Sequence, residues 1–172
     1  MLKKIALTGP ESSGKTTLCL ALASHFQCRF VPEMARLILE KDGPAYDEKK
    51  VEKMARMQIQ EEIRLEKLAR ESEEQFLFCD TNLLVYQVWL EVRFGRCPSW
   101  IVESVAQADY ALQLLMYPDL LWEADPLREN PLDRLPLFHR YETILGKSDA
   151  QWVCIKGEKR FEAAQQLMEE LP

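Results

Sequence analysis

The chain has no surplus of positive charge. It carries 22 Lys and Arg against 28 Asp and Glu, for a formal net charge of −6 at pH 7. Broad binding to nucleic acid needs a basic face that releases counterions from the phosphates, and anionic membrane surfaces attract the same kind of face. The composition therefore argues against nucleic acid and membrane as partners, although a local basic spot can still bind a phosphate.

Cysteine motifs and long apolar runs are also missing. The five cysteines are odd in number, widely spaced and form no C-x-x-C pair, which predicts buried, reduced thiols. They are Cys19, Cys28, Cys79, Cys97 and Cys154. The apolar stretch after the first lysines is far too short for a signal peptide or a membrane span. We therefore expect a cytoplasmic protein.

The chain contains no repeat, low-complexity tract or Gly/Ser linker, so we predict that residues 1–172 form one domain. Short apolar runs alternate with helical stretches instead. Strands are predicted at 3–7, 28–31, 75–79, 110–116 and 152–155, and helices at 15–26, 47–74, 83–94, 99–107 and 160–170. Apolar strands separated by helices are typical of a parallel sheet covered on both faces. Because crossovers are right-handed, we predict a three-layer, doubly wound α/β fold whose ligand crevice lies at the carboxyl ends of the strands.

One segment, residues 117–138, interrupts this alternation. It is rich in proline and charge and connects a strand to a helix. A connection of about 20 residues without regular structure is usually functional or mobile. We predict that it forms a lid.

Residues 9–16 read GPESSGKT and match the phosphate-loop pattern G-x-x-x-x-G-K-[ST]. Gly9 and Gly14 allow successive N–H groups to converge on an anion, and the helix that opens at Lys15 adds its positive end. Lys15 would reach the β- and γ-phosphates, and the Thr16 hydroxyl would bind Mg²⁺. We therefore predict a nucleoside triphosphate site made by Gly9, Glu11, Ser12, Ser13, Gly14, Lys15, Thr16 and Thr17.

The patterns of a guanine-specific GTPase are absent. The nearest match to [NT]-K-x-D is GKSD at 146–149, which has Gly in the first position and precedes a strand. No glycine follows Asp80 at the switch position, so ATP is the expected nucleotide. Asp80 ends an apolar strand, as a Walker-B carboxylate does, and could hold Mg²⁺ or contact substrate hydroxyls. The alternative is an Asp that caps the next turn.

Charged residues after the second strand are candidates for the reaction itself. In VPEMAR, Glu33 is a candidate base for an acceptor hydroxyl, and Arg36 could bind substrate or balance charge. The alternative is an ordinary first helical turn. In the predicted lid, Arg128 and Arg134 could stabilise charge on the transferred group, or be solvated surface arginines.

Five stretches occur in the order TGPESSGKTTL, FVPEMAR, FCDTNLLVYQVW, FGRCPSW and WEADPLRENPLDRLPLF. Together they resemble the ribosylnicotinamide-kinase domain of the bifunctional NAD-biosynthesis regulator NadR, over about residues 3–165. The resemblance implies a P-loop nucleoside-kinase fold with a lid. It also implies phosphorylation of the 5′-hydroxyl of nicotinamide riboside by ATP-Mg, which gives nicotinamide mononucleotide.

The resemblance also implies roles for individual residues. Lys15 and Thr16 would serve ATP and Mg²⁺, Glu33 and Asp80 would lie at the acceptor and metal, and the lid would carry Arg128 and Arg134. Aromatic faces suit the cationic pyridinium of this substrate, so Tyr86 and Trp89 are candidate wall residues. Trp100 and Trp122 also fall near the predicted crevice.

Two departures from the family pattern stand out. The chain has only His25 and His139 and no H-x-G-H motif, so we expect it to make the mononucleotide and not NAD. Asn82 stands where many relatives have an acid, which puts the substrate in question. The alternatives are a kinase of another nucleoside, nucleotide or sugar, and an ATP-binding regulatory module without efficient transfer. The oligomeric state is not indicated.

Overall fold

A computed structural model describes residues 1–127 and 132–172 of the chain as strands that alternate with helices. The strands are β1 (Lys3–Thr8), β2 (Phe30–Val31), β3 (Phe76–Asp80), β4 (Leu112–Met116) and β5 (Trp152–Ile155). The helices are α1 (Lys15–His25), α2 (Met34–Asp42), α3 (Glu48–Glu71), α4 (Leu83–Phe94), α5 (Ser99–Ala106), α6 (Arg134–Leu145) and α7 (Arg160–Glu170).

The strands form one parallel sheet in the order β2-β3-β1-β4-β5. The chain moves from β1 to one side of the sheet for β2 and β3, and to the other side for β4 and β5. A ligand crevice is expected where the chain changes direction, beyond the carboxyl ends of the central strands. The predicted doubly wound α/β fold is confirmed.

Alternate residues of β1 face opposite layers of helices. Ile5 and Leu7 pack in the core formed with α1 and α7. Ala6 lies in a different core, with Leu65 of α3. Successive side chains of a strand point to opposite faces, so a sheet covered on both sides needs apolar residues at every position. This is why the strands are continuous apolar runs.

The long charged helix α3 begins as its sequence predicts. The Asp47 side chain caps the helix by accepting the Lys50 N–H at 2.8 Å. The predicted i,i+4 pairs are present, with N–O distances of 2.7 Å between Arg56 and Glu52 and 2.6 Å between Arg70 and Glu66. The arginines of both pairs are exposed, whereas the two glutamates are partly buried.

Three details differ from the expected boundaries. β2 has two residues where four were predicted, and α2 is an additional helix that begins directly after Glu33. α6 begins at Arg134, so the last five residues of the predicted lid, 134–138, are helical. Pro136 does not prevent this, because the first turn of a helix has no internal partner for its N–H groups.

The five cysteines are all free thiols, as predicted. Only Cys19 and Cys79 are buried, and the other three are partly exposed, so the prediction of interior positions is correct for two. Within residues 1–127 and 132–172, no helix is long and apolar enough to cross a bilayer.

Candidate active site

The phosphate loop follows β1 directly and depends on glycine at its first position. Gly9 has a φ of 132°, and a Cβ there would lie 2.9 Å from the main-chain oxygen of Met116 on β4. Gly14 and Ser12 are also left-handed, with φ values of 83° and 52°. Left-handed residues alternating along a short loop make consecutive N–H groups converge, which forms a concave anion site.

Lys15 places its ammonium group across this loop. Its Nζ donates to the main-chain oxygens of Gly9, at 3.0 Å, and Pro10, at 2.8 Å. The Ser13 hydroxyl donates to the same Pro10 oxygen at 2.7 Å. These hydrogen bonds link the two ends of the loop and hold the Lys15 ammonium group beside the first turn of α1.

Asp80, at the end of β3, is buried against Thr16 and does not itself line the cavity. It is only 3% exposed, and the Thr16 hydroxyl donates a hydrogen bond to its carboxylate. Burial raises the pKa of Asp80, while this hydrogen bond and the charge of Lys15 oppose the rise. Its Oδ1 atom is buried with no hydrogen-bond partner within the described part of the chain. The predicted pair of Thr16 and Asp80 is thus brought together.

Glu33 lines the same cavity from the amino end of α2. Burial raises the pKa of Glu33, and the positive charge of Lys15 is the main influence that opposes it. The nearby carboxylate of Asp80 raises it further. Glu33 and Lys15 therefore line the cavity together, and the buried carboxylate of Asp80 acts on Glu33 from outside the lining.

A residue not anticipated from the sequence holds the main chain on both sides of Glu33. Gln58 of α3 is 1% exposed. Its Oε1 accepts the Met34 N–H at 2.9 Å, and its Nε2 donates to the Pro32 oxygen at 3.0 Å. The only signal in the sequence is a glutamine on the apolar face of an amphipathic helix, where an unpaired amide would be costly.

Tyr86, predicted as a wall residue, does not line the cavity. It is fully buried, and its hydroxyl donates to Gln58 Oε1 at 3.2 Å. Successive residues of a helix are rotated by about 100°, so Val85 and Trp89 face the cavity while Tyr86 points toward α3. It supports the site through Gln58 and by stacking on Trp89, with ring centroids 6.3 Å apart.

The cavity itself has a volume of about 250 Å³. Its wall away from the phosphate loop is partly aromatic, because Trp89 of α4 and Tyr46 meet edge to face with ring centroids 4.9 Å apart. Leu39 of α2 and Arg93 of α4 complete this region. Trp89 was expected here, whereas Tyr46 and Arg93 carry no motif that would have identified them.

Arg36 connects α2 to the segment predicted as the lid. Its Nη2 lies 2.5 Å from Asp125 Oδ2, and its Nε lies 2.9 Å from Glu40 Oε1. The other oxygen of Asp125 accepts the Leu127 N–H at 2.9 Å. Arg36 lines the cavity, but its guanidinium serves this ion pair.

The segment predicted as the lid also contacts the phosphate loop. The Ser12 hydroxyl accepts the Glu123 N–H at 3.1 Å and donates to the Leu121 oxygen at 3.4 Å. Arg134 donates from Nη1 to the main-chain oxygens of Ser12, at 3.1 Å, and Leu120, at 2.9 Å. Arg134 therefore contacts the phosphate loop from the first turn of α6, and it does not line the cavity. Arg128 lies outside the described residues.

A family model for the AAA domain matches residues 4–161. The chain belongs to the AAA domain family. A comparison with curated proteins finds no match to the sequence.

Several solved structures resemble this AAA domain in fold. NadR protein in complex with NAD and AMP-PNP has a TM-score of 0.82 at 20% identity, covering 98% of this chain and 49% of that one. NadR in complex with NR gives the same score and identity, covering 98% and 51%. Thymidylate kinase from Ehrlichia chaffeensis has a TM-score of 0.67 at 14% identity, covering 99% of both chains. A deoxyadenosine kinase from M. mycoides with bound dATP has a TM-score of 0.55 at 12% identity, covering 98% and 100%.

These similarities show that the AAA domain described here has the fold of the P-loop kinases. It spans about half the length of the NadR chains that it matches.

Two further residues that the sequence singled out do not line this cavity. Trp100 of α5 donates from Nε1 to Glu52 at 2.8 Å, and Arg56 packs over its ring at 4.2 Å, so it belongs to the surface between α3 and α5. Asn82, the departure from the family pattern, is 2% exposed, and its amide donates to Gln113 at 2.9 Å.

Proposed function

We propose that this protein is an ATP-dependent kinase that phosphorylates the 5′-hydroxyl of nicotinamide riboside, and thus acts on a small molecule in NAD salvage. The observation that carries the proposal is the juxtaposition of two acidic groups with a phosphate loop. Glu33 and Lys15 line one end of the cavity, and Asp80 is buried against Thr16 of the same loop. Trp89 and Tyr46 form an aromatic wall farther along the cavity.

The phosphate loop would hold the triphosphate of ATP. Its converging amides and the amino end of α1 suit an anion. Lys15 would exchange its hydrogen bonds with the Gly9 and Pro10 oxygens for bonds to the phosphates, which makes its charge available where negative charge develops.

Mg²⁺ fits the pair formed by Thr16 and Asp80. Hydroxyl and carboxylate oxygens are ligands that this ion prefers, and the buried Oδ1 of Asp80 has no protein partner within residues 1–127 and 132–172. When bound, the ion would offset negative charge on the phosphates. Thr16 and Asp80 would hold it, directly or through water.

Glu33 would take the proton from the acceptor hydroxyl. The pKa of its carboxyl is raised by burial, which makes the carboxylate a stronger base than an exposed one. Gln58 fixes the main chain on both sides of Glu33, so the base is held at a defined position. A fixed base favours transfer from one acceptor hydroxyl.

The aromatic wall favours a flat acceptor. A Trp face attracts a cationic ring, and the pyridinium of nicotinamide riboside is such a ring. The likeness to NadR in complex with NR supports this choice of acceptor.

The proposal is tested by following ADP release from ATP-Mg with nicotinamide riboside, thymidine and deoxyadenosine, and by identifying the products by mass spectrometry. We expect stoichiometric ADP and mononucleotide with nicotinamide riboside, and loss of both in Glu33→Gln. ADP formation with thymidine or deoxyadenosine alone would assign a different acceptor. ATP binding without transfer to any acceptor would indicate a regulatory module instead.

A further inference from the structure

Two arginines from outside the phosphate loop donate to consecutive carbonyls of that loop. Arg134, the first residue of α6, donates from Nη1 to the Ser12 oxygen at 3.1 Å. Arg160, the first residue of α7, donates from Nη1 to the Ser13 oxygen at 2.5 Å. The two residues come from different parts of the chain and approach the same short stretch of main chain.

Arg160 is held rigidly by further contacts. It is 7% exposed, its Nη2 donates to the Tyr117 oxygen at 2.9 Å, and its Nε donates to the Gly157 oxygen at 3.0 Å. It also forms an ion pair with Asp119, whose second oxygen accepts the Gly157 N–H at 2.6 Å. One guanidinium therefore connects the phosphate loop, the end of β4 and the loop before α7.

Helix stability does not account for this placement. A cation at the amino end of a helix interacts unfavourably with the helix dipole, and burial of a guanidinium carries a desolvation cost that one ion pair does not always offset. The position of Arg160 is thus unfavourable for α7 alone. One of its contacts, from Nη1 to the Ser13 oxygen, instead reaches the main chain of the phosphate loop.

The contacts that Arg134 and Arg160 make with the loop determine the direction of two peptide units. A trans peptide unit is planar, so a carbonyl and the N–H that follows it point in opposite directions. Arg160 holds the Ser13 carbonyl outward and thereby directs the Gly14 N–H into the loop. Arg134 does the same for the Ser12 carbonyl and the Ser13 N–H.

We propose that Arg160 is a positioning residue for polyphosphate binding, which acts by holding the Ser13–Gly14 peptide so that its N–H faces the phosphates. Arg134 positions the preceding peptide in the same way. The inference rests on ATP binding by the phosphate loop, which is part of the proposed function. Arg160 is the better residue to test, because it is buried and its contact with the loop is the shorter of the two, at 2.5 Å against 3.1 Å.

The test measures binding of inorganic tripolyphosphate by calorimetry and binding of adenosine by NMR titration. We expect Arg160→Met to weaken tripolyphosphate binding at least about tenfold, which corresponds to about 1.4 kcal/mol, and to leave adenosine binding within about twofold. Arg160→Lys should recover only part of the loss, because one ammonium cannot reproduce the planar fork. The matched control is Arg64→Met, which removes an exposed arginine of α3 paired with Glu61 and should change neither constant.

Several outcomes would overturn the inference. Equal losses of tripolyphosphate and adenosine affinity would make Arg160 merely structural, and full recovery in Arg160→Lys would mean that charge alone matters. If Arg160→Met does not fold, Arg160→Lys decides the question, because wild-type affinity in that variant contradicts positioning. A wild-type protein that does not bind tripolyphosphate would reject ATP binding itself, whereas binding that is insensitive to both Arg160 variants would reject only this inference.

Discussion

The two ends of the cavity differ in the chemical groups that they offer, main-chain amides at one end and side chains at the other. The phosphate end consists of consecutive residues, 9–17, and offers main-chain amides and one lysine. The acceptor end consists of side chains from α2, α4 and the segment around Tyr46, which are distant in the sequence. Main-chain groups recognise any polyphosphate, whereas side chains can be tuned to one acceptor. Nucleotide binding and acceptor choice should therefore respond to different substitutions.

The largest loss is expected at the phosphate end, from Lys15→Ala. Removal of a charge that stabilises the transferred group should lower kcat/KM by about 10³–10⁵-fold and weaken ATP binding, as measured by ADP release and calorimetry. Lys67→Ala is the control, because Lys67 is an exposed lysine of α3 with 78% of its side chain accessible. Wild-type turnover in Lys15→Ala would contradict the assignment of the phosphate loop.

Glu33→Gln should slow phosphoryl transfer without weakening nucleotide binding. If Glu33 is the base, kcat falls by about 10²–10⁴-fold while the ATP dissociation constant stays near the wild-type value. In the wild type, the base must be ionised, so kcat should fall as the pH drops through the raised pKa of Glu33. A pH profile that is unchanged in Glu33→Gln would identify another base.

Gly9→Ala tests whether the main chain of the phosphate end is as constrained as its geometry indicates. The added Cβ would lie 2.9 Å from the Met116 oxygen, and the alanine would have to keep a positive φ. This strain should cost about 1–3 kcal/mol and weaken ATP binding. Gly43→Ala is the matched control, because Gly43 also has a positive φ but no atom within 4 Å of the added carbon. It should lower the melting temperature and leave ATP binding intact. Similar ATP affinities in both variants would mean that the clash is relieved by a shift of the loop.

Trp89→Leu should affect the acceptor end alone. Loss of an aromatic face beside a cationic ring is worth about 0.5–2 kcal/mol, so the KM for the riboside should rise up to about thirtyfold with ATP affinity unchanged. Trp100→Leu provides the control, since Trp100 pairs with Glu52 away from the cavity. A rise in the KM for ATP instead would place Trp89 at the nucleotide.

The smallest effect concerns stability. The folded-state pKa of Glu33 lies above its ordinary value, so between the two pKa values the folded state binds more protons than the unfolded state. Stability therefore falls as the pH rises through this window. At neutral pH, Glu33→Gln should melt a few degrees higher than the wild type, and the difference should vanish in acid. A lower melting temperature at neutral pH would show that ionised Glu33 stabilises the fold.

The phosphate end was predictable in detail, because its function depends on local backbone conformation. Gly9, Gly14, Lys15 and Thr16 lie where their spacing places them. Asp80 was also predictable, since the end of a buried parallel strand is adjacent to that loop. Tyr86 was not placed correctly, because one helical position separates a residue in the cavity from one in the core.

The sequence by itself determined the order of the strands and of every helix except α2, the phosphate loop and the strand-end carboxylate, because each depends on residues that are close along the chain. Only the tertiary structure decided which side chains share the cavity wall. Gln58 reaches Pro32 across 26 positions, and Arg160 reaches Ser13 across 147. Such contacts depend on how each helix is oriented about its axis and on how the layers pack, and neither can be predicted from a local pattern of residues.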